Sequence, residues 1–231
     1  MDERKPEHDL RSYGRRRGRA LSARQAALWQ EVLPRVALPA EPTALRALEA
    51  LFEPPVREVW LEIGFGGGEH LLWQAERNPD VGLIGCEPFE NGIVKVLSAL
   101  EHRENPNVRI YTEDARPLLR RLPDAAINRV FILFPDPWPK ARHHKRRLVS
   151  PVALGELQRI MRKSAELRIA TDIGEHARWI LLAARGVSGL RWTASAPADW
   201  RRRPPDWPQT RYEQKALAAG RRCYYFRFER V

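Results

Sequence analysis

Two segments of this chain concentrate residues able to do chemistry. Val59–Gly68 reads VWLEIGFGGG, an apolar run with one carboxylate that breaks into glycines at 64, 66, 67 and 68. A glycine turn between a strand and a helix lets main chain approach a ligand closely, and the helix N-terminus offers free N–H groups. The dinucleotide-binding pattern needs glycines at 64, 66 and 69, but Glu69 occupies the third position. A carboxylate at that junction repels a pyrophosphate and suits a cation, and Glu62 adds negative charge two residues before Gly64. Glu87, 25 residues after Glu62, ends the next apolar run, where a carboxylate accepts from ribose hydroxyls. Asp114, in TEDA, suits either an adenine amino group or the N-cap of the helical run that follows.

The second segment, Pro135–Arg147, reads PDPWPKARHHKRR. Its three leading prolines exclude helix and fix a loop, so Asp136 is held at the end of the apolar run Phe131–Phe134. Trp138 offers a flat face for stacking an extruded base. Lys140, Arg142, Lys145, Arg146 and Arg147 follow, with His143 and His144 and no acid. A dense, acid-free cationic run beside a rigid carboxylate is a phosphate-binding strip rather than an ordinary solvated face. An acidic glycine turn combined with that strip favours S-adenosylmethionine as cofactor, since it carries a sulfonium and an ammonium but no phosphate.

These residues need a scaffold that brings strand ends together. Strands are expected at Val59–Ile63, Val81–Glu87, Val108–Tyr111, Ile127–Phe134 and Leu167–Ala170, and helices at Glu69–Arg77, Asn91–His102, Leu148–Lys163 and His176–Arg185. Apolar strands alternating with helices make an α/β, doubly wound, mostly parallel sheet, whose ligands sit at the carboxyl ends of the strands. Cys223–Phe228 reads as a last, antiparallel strand, and its Tyr224-Tyr225-Phe226 cluster as core rather than a stacking surface. Amphipathic helices are expected at Leu21–Leu33 and Thr43–Phe52, and a surface loop at Arg201–Pro208 (RRRPPDWP). Residues 1–24 carry eight Lys/Arg against four acids and read as a mobile basic arm, leaving 25–231 as a single domain.

Composition agrees with a nucleic-acid partner. The net charge is +11 over 231 residues, and the 43% hydrophobic content supports a real core. Cys86 and Cys223 make neither a zinc framework nor a disulfide set, so no metal is expected and a reducing cytoplasm is the natural setting. There is no apolar leader and no membrane-length apolar run.

Taken together, EIGFG at 62–66, PDPWPKARHHKRR at 135–147, ATD at 170–172 and TRYE at 210–213 resemble the bacterial tRNA (guanine-N7-)-methyltransferase family. The similarity runs from about Arg11 to Val231, and the 13-residue proline segment is its most specific part. The resemblance implies a class I S-adenosylmethionine-dependent methyltransferase fold with a seven-stranded sheet. It implies methylation of guanine N7 in the tRNA variable loop by a monomer or homodimer. It further implies cofactor contacts from Glu62, Glu87, Asp114 and Asp136, with Gly64 and Gly66 in the turn, and a catalytic Asp136. Lys140, Asp172, Thr210, Arg211, Tyr212 and Glu213 match substrate positions, and Arg142, His143, His144, Lys145, Arg146 and Arg147 match the RNA-contacting stretch. A nucleotide-binding oxidoreductase is the rival enzyme reading, disfavoured by Glu69 and the basic strip. An RNA-binding protein on an inactive methyltransferase fold would lack the cofactor acids, and all four are present.

Overall fold

A computed structural model describes Gly14 and residues 16–231. The expected mobile arm lies largely outside the described residues, at 1–13 and 15. The part that is described is docked. Glu90 N–H donates to the Arg16 carbonyl at 2.9 Å, and the Asn91 side chain bonds Gly18 N and the Arg19 carbonyl, both at 2.9 Å.

Among the described residues, seven strands form one sheet in the order β3-β2-β1-β4-β5-β7-β6. They are β1 (Glu58–Ile63), β2 (Val81–Cys86), β3 (Val108–Tyr111), β4 (Ile127–Leu133), β5 (Met161–Thr171), β6 (Leu190–Trp192) and β7 (Tyr224–Arg230). The first five pair in parallel; β7 runs antiparallel between β5 and β6. The last strand is therefore antiparallel as expected, but it sits inside the sheet, because β6 takes the edge. No sequence pattern marked β6, since three residues are too few to show a period.

The helices are α1 (Ala23–Glu31), α2 (Leu33–Val36), α3 (Glu69–Arg77), α4 (Glu90–Leu100), α5 (Ala115–Arg121), α6 (Pro151–Ile160), α7 (Gly174–Arg185), α8 (Ala198–Arg201) and α9 (Arg211–Ala218). Alternate residues of β1 face opposite cores, as period-2 geometry requires. Val59, Leu61 and Ile63 pack with residues of α5, α6 and α7, whereas Trp60 packs with those of α1, α3 and α4.

Three local expectations change. The helix expected to run to Lys163 stops at Ile160, and β5 begins at once with Met161 opposite Ile127. An irregularity between Ile127 and Arg129, with Ser164 at φ 64°, absorbs the polar Arg162–Ser164 stretch in the strand. The helix expected at Thr43–Phe52 is instead two 3-10 turns, broken at Ala47 (φ −128°), yet Leu45, Leu48 and Phe52 still enter the core. Finally, the RRRPPDWP loop is not merely superficial: Pro204 and Trp207 are buried. Arg203 Nη1 donates to the Trp207 carbonyl at 2.7 Å, and Asp206 pairs with buried Arg168 of β5 at 2.7 Å.

Arg168 belongs to a cluster around Glu166. Burial alone would raise the Glu166 carboxyl, but Arg227, Arg168 and Arg129 outweigh it and hold it at about 2, against an ordinary 4.5. A depressed carboxyl stabilises the fold above its unfolded value, and the contribution disappears as pH falls through the folded one. The melting temperature of the wild type should exceed that of Glu166→Gln at pH 5, and the gap should narrow from pH 4.5 towards 2. A constant gap across thermal melts in that range would reject the assignment.

Candidate methyl-transfer site

The glycine turn begins where β1 ends. Gly64, Gly66 and Gly68 have φ of 77°, 56° and 81°, a region closed to most side chains, and Gly68 is the N-cap of α3. The first turn of α4 presses onto it: a Cβ at Gly92 would lie 2.2 Å from the Gly66 carbonyl oxygen. Glu87, just past β2, ties these pieces together. Its two carboxylate oxygens accept from Gly66 N at 2.8 Å and Phe89 N at 2.9 Å.

These elements line a cavity of about 420 Å³ at the carboxyl ends of β1, β2 and β4, within the usual range for small-ligand sites. Ile63, Gly64 and Gly66 form one wall, and Cys86 to Phe89 a second. Asp114 to Arg116 form a third, and Leu133 to Asp136 with Trp138 a fourth. Gly14, Arg146, Leu148 and Tyr212 complete it. Burial raises the Glu87 carboxyl; its two backbone bonds pull it down, and the nearby charges of Asp136 and Glu62 push it up again. Burial likewise raises Asp136. Arg116, one of the two cations that line it among the described residues, is engaged by Asp114 at 2.8 Å. The donor set therefore suits a ligand carrying positive charge and a ribose, which fits S-adenosylmethionine.

The expected cofactor acids divide. Glu87, Asp114 and Asp136 line the cavity. Asp114 also caps α5, accepting from Arg116 N at 2.9 Å, so both readings of it hold together. Glu62 does not line the cavity; it is 3% exposed and bonds His70 Nδ1 at 2.7 Å. The Gln74 amide N donates to His70 Nε2 at 3.1 Å, so that nitrogen accepts and Nδ1–H donates to Glu62. Glu62 thus bears on the site only through its charge, which helps to raise the Glu87 carboxyl. The signal missed in the sequence is His70 and Gln74, spaced i, i+4 in the helix after the turn.

Asp136 sits in a strained loop. Phe134 (φ 52°) and Trp138 (φ 40°) flank it in the left-handed region, where a bulky residue persists only if its surroundings enforce it. The basic stretch beyond is a 3-10 turn, Ala141–Arg146, with Lys140, Arg142 and Lys145 exposed and His143 and His144 half-buried. The Arg146 guanidinium lies over the Trp138 ring at 5.0 Å. Arg147 departs from the expected phosphate contact. Its side chain is 0% exposed, pairing with Glu175 at 2.6 Å and donating to the Pro137 carbonyl at 2.8 Å. Burial and the Arg147 charge push neighbouring His176 down to about 4, so it is neutral at ordinary pH.

The TRYE run is the start of α9. Thr210 caps it, its hydroxyl accepting from Glu213 N at 3.3 Å. Glu213 departs from the substrate position that the resemblance implies: it is buried, accepting from Tyr225 Oη at 2.6 Å and pairing with Arg203 at 3.2 Å. The Tyr225 hydroxyl, trapped in the core by β7, requires such a buried acceptor. Arg211 points towards Glu69 at 3.9 Å. Only Tyr212 of this run lines the cavity, 51% exposed and against the Gly66 turn. Asp172 lies at the end of β5, outside the cavity lining, paired with Arg221 at 2.7 Å. Among the described residues no cluster of three or more His, Cys, Asp or Glu could hold a metal ion, and no helix is long and apolar enough to cross a membrane.

An acidic, glycine-walled cavity at the switch point of a 3-2-1-4-5-7-6 sheet defines the class I methyltransferases. Solved structures share this fold. A 16S rRNA methyltransferase, KamB, aligns with a TM-score of 0.57 at 16% identity over 79% of this chain and 94% of its own. An antibiotic-related methyltransferase aligns with a TM-score of 0.56 at 16% identity over 84% and 96%. The family model described as "Putative methyltransferase" matches residues 56–226. Proteins named tRNA (guanine-N(7)-)-methyltransferase are similar along nearly the whole chain. That of Chelativorans sp. is 47% identical over 100% of both chains, and that of Rhodospirillum rubrum 46% identical over 98% of this chain and 90% of its own. That of Hyphomonas neptunium is 49% identical over 90% and 94%. The chain belongs to the tRNA (guanine-N(7)-)-methyltransferase family.

Replacing Gly92 by Ala drives a Cβ into the main chain of the glycine turn. Overpacking of this kind costs about 1–3 kcal/mol, so a turn displaced to relieve it should bind S-adenosylmethionine about 5- to 150-fold more weakly. Titration calorimetry checks this; unchanged affinity would show that the turn does not depend on that packing.

Proposed function

We infer that this chain methylates N7 of a guanine in the variable loop of tRNA, with S-adenosylmethionine as donor. The observation that carries the reading is the placement of Asp136. A strained, proline-locked carboxylate enters an acidic cavity on one side and continues into an exposed basic turn on the other. Bound in the cavity, S-adenosylmethionine supplies an electrophilic methyl group on a positively charged sulfur. Guanine N7 already carries a free lone pair, so the protein need not remove a proton first. Its task is to align the base and exclude water.

Tyr212 and Trp138, both at the cavity, are the faces between which a purine would be held. Asp136 stabilises the positive charge that develops on the purine ring, a fixed charge needing no rearrangement during reaction. Asp172, paired with Arg221 just past β5, is the acceptor we assign to the guanine N1–H and amino group, since Glu213 is buried on Tyr225 and Arg203. Lys140, Arg142, Lys145 and Arg146 contact phosphates. A tRNA substrate supports a cytoplasmic setting.

Unmodified tRNA incubated with methyl-labelled S-adenosylmethionine should yield label as 7-methylguanosine at one variable-loop position, read by nucleoside digestion and site mapping. Label on protein or small molecules with none on RNA would overturn the reading. Asp136→Asn should depress kcat far more than tRNA affinity. Because burial raises the Asp136 carboxyl, and only its ionised form stabilises the purine cation, wild-type kcat should fall on acidification from a higher pH than an ordinary aspartate would give. Asp136→Asn should lack that acid limb. Loss of affinity with kcat intact would remove Asp136 from the reaction. Neutralising Lys145 and Arg146 together should reduce the slope of log affinity against log salt by about 0.7–0.9 for each phosphate no longer neutralised.

A further inference from the structure

We propose that Arg147 is a positioning residue that holds the Asp136 carboxylate in place through the main chain of the proline loop, and that it makes no contact with RNA. The inference rests on the role given to Asp136 above. Pro135, Pro137 and Pro139 remove three N–H donors from this stretch, so the loop cannot brace itself with an ordinary backbone ladder. The sheet's hold ends at Phe134, whose N–H donates to the Ala170 carbonyl at 2.8 Å. Phe134 itself and, beyond it, Trp138 are the two left-handed residues that enclose Asp136, a conformation that must be imposed from outside.

Arg147 supplies that constraint. Its Nε donates to the Pro137 carbonyl at 2.8 Å and its Nη2 to the Trp138 carbonyl at 3.3 Å, the carbonyls of the two residues that follow Asp136. Its Nη1 and Nη2 also grip the two carboxylate oxygens of Glu175, at 3.1 and 2.6 Å, in the first turn of α7. The guanidinium lies 4.8 Å over the Trp179 ring, and Trp179 Nε1 is anchored on the Val149 carbonyl at 2.6 Å. Four of the five guanidinium donors are thereby committed, and the side chain has no exposed surface to offer a phosphate. The planar fork matters, because a lysine ammonium cannot satisfy two loop carbonyls and a carboxylate in one plane. Adjacent arginines thus divide the work: Arg146 lies on the Trp138 ring at the cavity, while Arg147 ties the loop to α7.

The test measures kcat, tRNA dissociation constant, its salt slope and the thermal melt for Arg147→Lys, Arg147→Gln and Glu175→Ala. A displacement of about 1 Å at a reacting group can cost on the order of 100-fold in rate, so Arg147→Lys should lower kcat roughly 10- to 100-fold. Its tRNA affinity should stay within about twofold of wild type. Arg147→Gln should leave the salt slope unchanged, unlike the Lys145 and Arg146 variants. Glu175→Ala removes a side chain that is 55% exposed, so water can reach the uncovered guanidinium, and it leaves the loop contacts in place; the variant should fold with a lowered melting temperature and lose kcat by several-fold at constant affinity. That variant carries the test if the Arg147 substitutions do not fold. Wild-type kcat in Arg147→Lys or in Glu175→Ala, or a flattened salt slope in Arg147→Gln, overturns the inference. Wild-type turnover on tRNA is measured first, since its absence overturns the functional reading instead.

Discussion

The Glu87 carboxylate is the constraint on which this site depends. By accepting from Gly66 and Phe89 it joins the loop after β1 to the loop after β2 at the point where the sheet reverses its winding. Two main-chain donors on one carboxylate hold the turn open in a conformation only glycine takes without strain. Gly92 can then pack against the turn, and α4 can carry Asn91 and Glu90, which in turn seat residues 16–19. The same carboxylate remains in the cavity wall, where its charge sums with those of Asp136 and Glu62. One side chain thus sets both the shape and the sign of the site.

The opposite wall is built by a different principle. Prolines stiffen the loop after β4 but strip it of donors, so its carbonyls are satisfied by a buried guanidinium reaching from Arg147. Burying that cation is tolerable because Glu175 neutralises it and Trp179 covers it. Negative potential in the cavity and positive potential on the exposed turn follow from this arrangement. Asp136 on the cavity wall and the exposed cationic turn belong to one continuous segment of thirteen residues.

Much of the fold was legible because its signals are local. The strands at Val81 and Val108 and the helix at Glu69–Arg77 follow from period and from glycine punctuation, and the structure has them where that pattern lies. Elements whose existence depends on partners were not legible. Leu190–Trp192 is a strand only because β7 is there to pair with it. Met161–Lys163 continues the helical pattern but is drawn into β5 by the ladder with β4. Pro204 and Trp207 look like loop residues until the Arg168–Asp206 and Arg203–Glu213 pairs draw them against the core.

The same division holds for the site. Sequence by itself determined the chemistry available: an acidic glycine turn that excludes pyrophosphate, a proline-locked Asp136, and a cationic turn that suits RNA. These are properties of residue type and adjacent order, which folding does not alter. Only the tertiary structure decided which side chains face the ligand. Glu62, Glu213 and Arg147 carry charges that look available in sequence, yet each is turned inward onto His70, Tyr225 and Glu175 respectively. A buried hydroxyl, imidazole or carbonyl must find a partner, and the nearest ionisable side chain supplies it. Whether a charge serves a ligand or the fold is set by what else is buried beside it, and that is known only once distant segments meet.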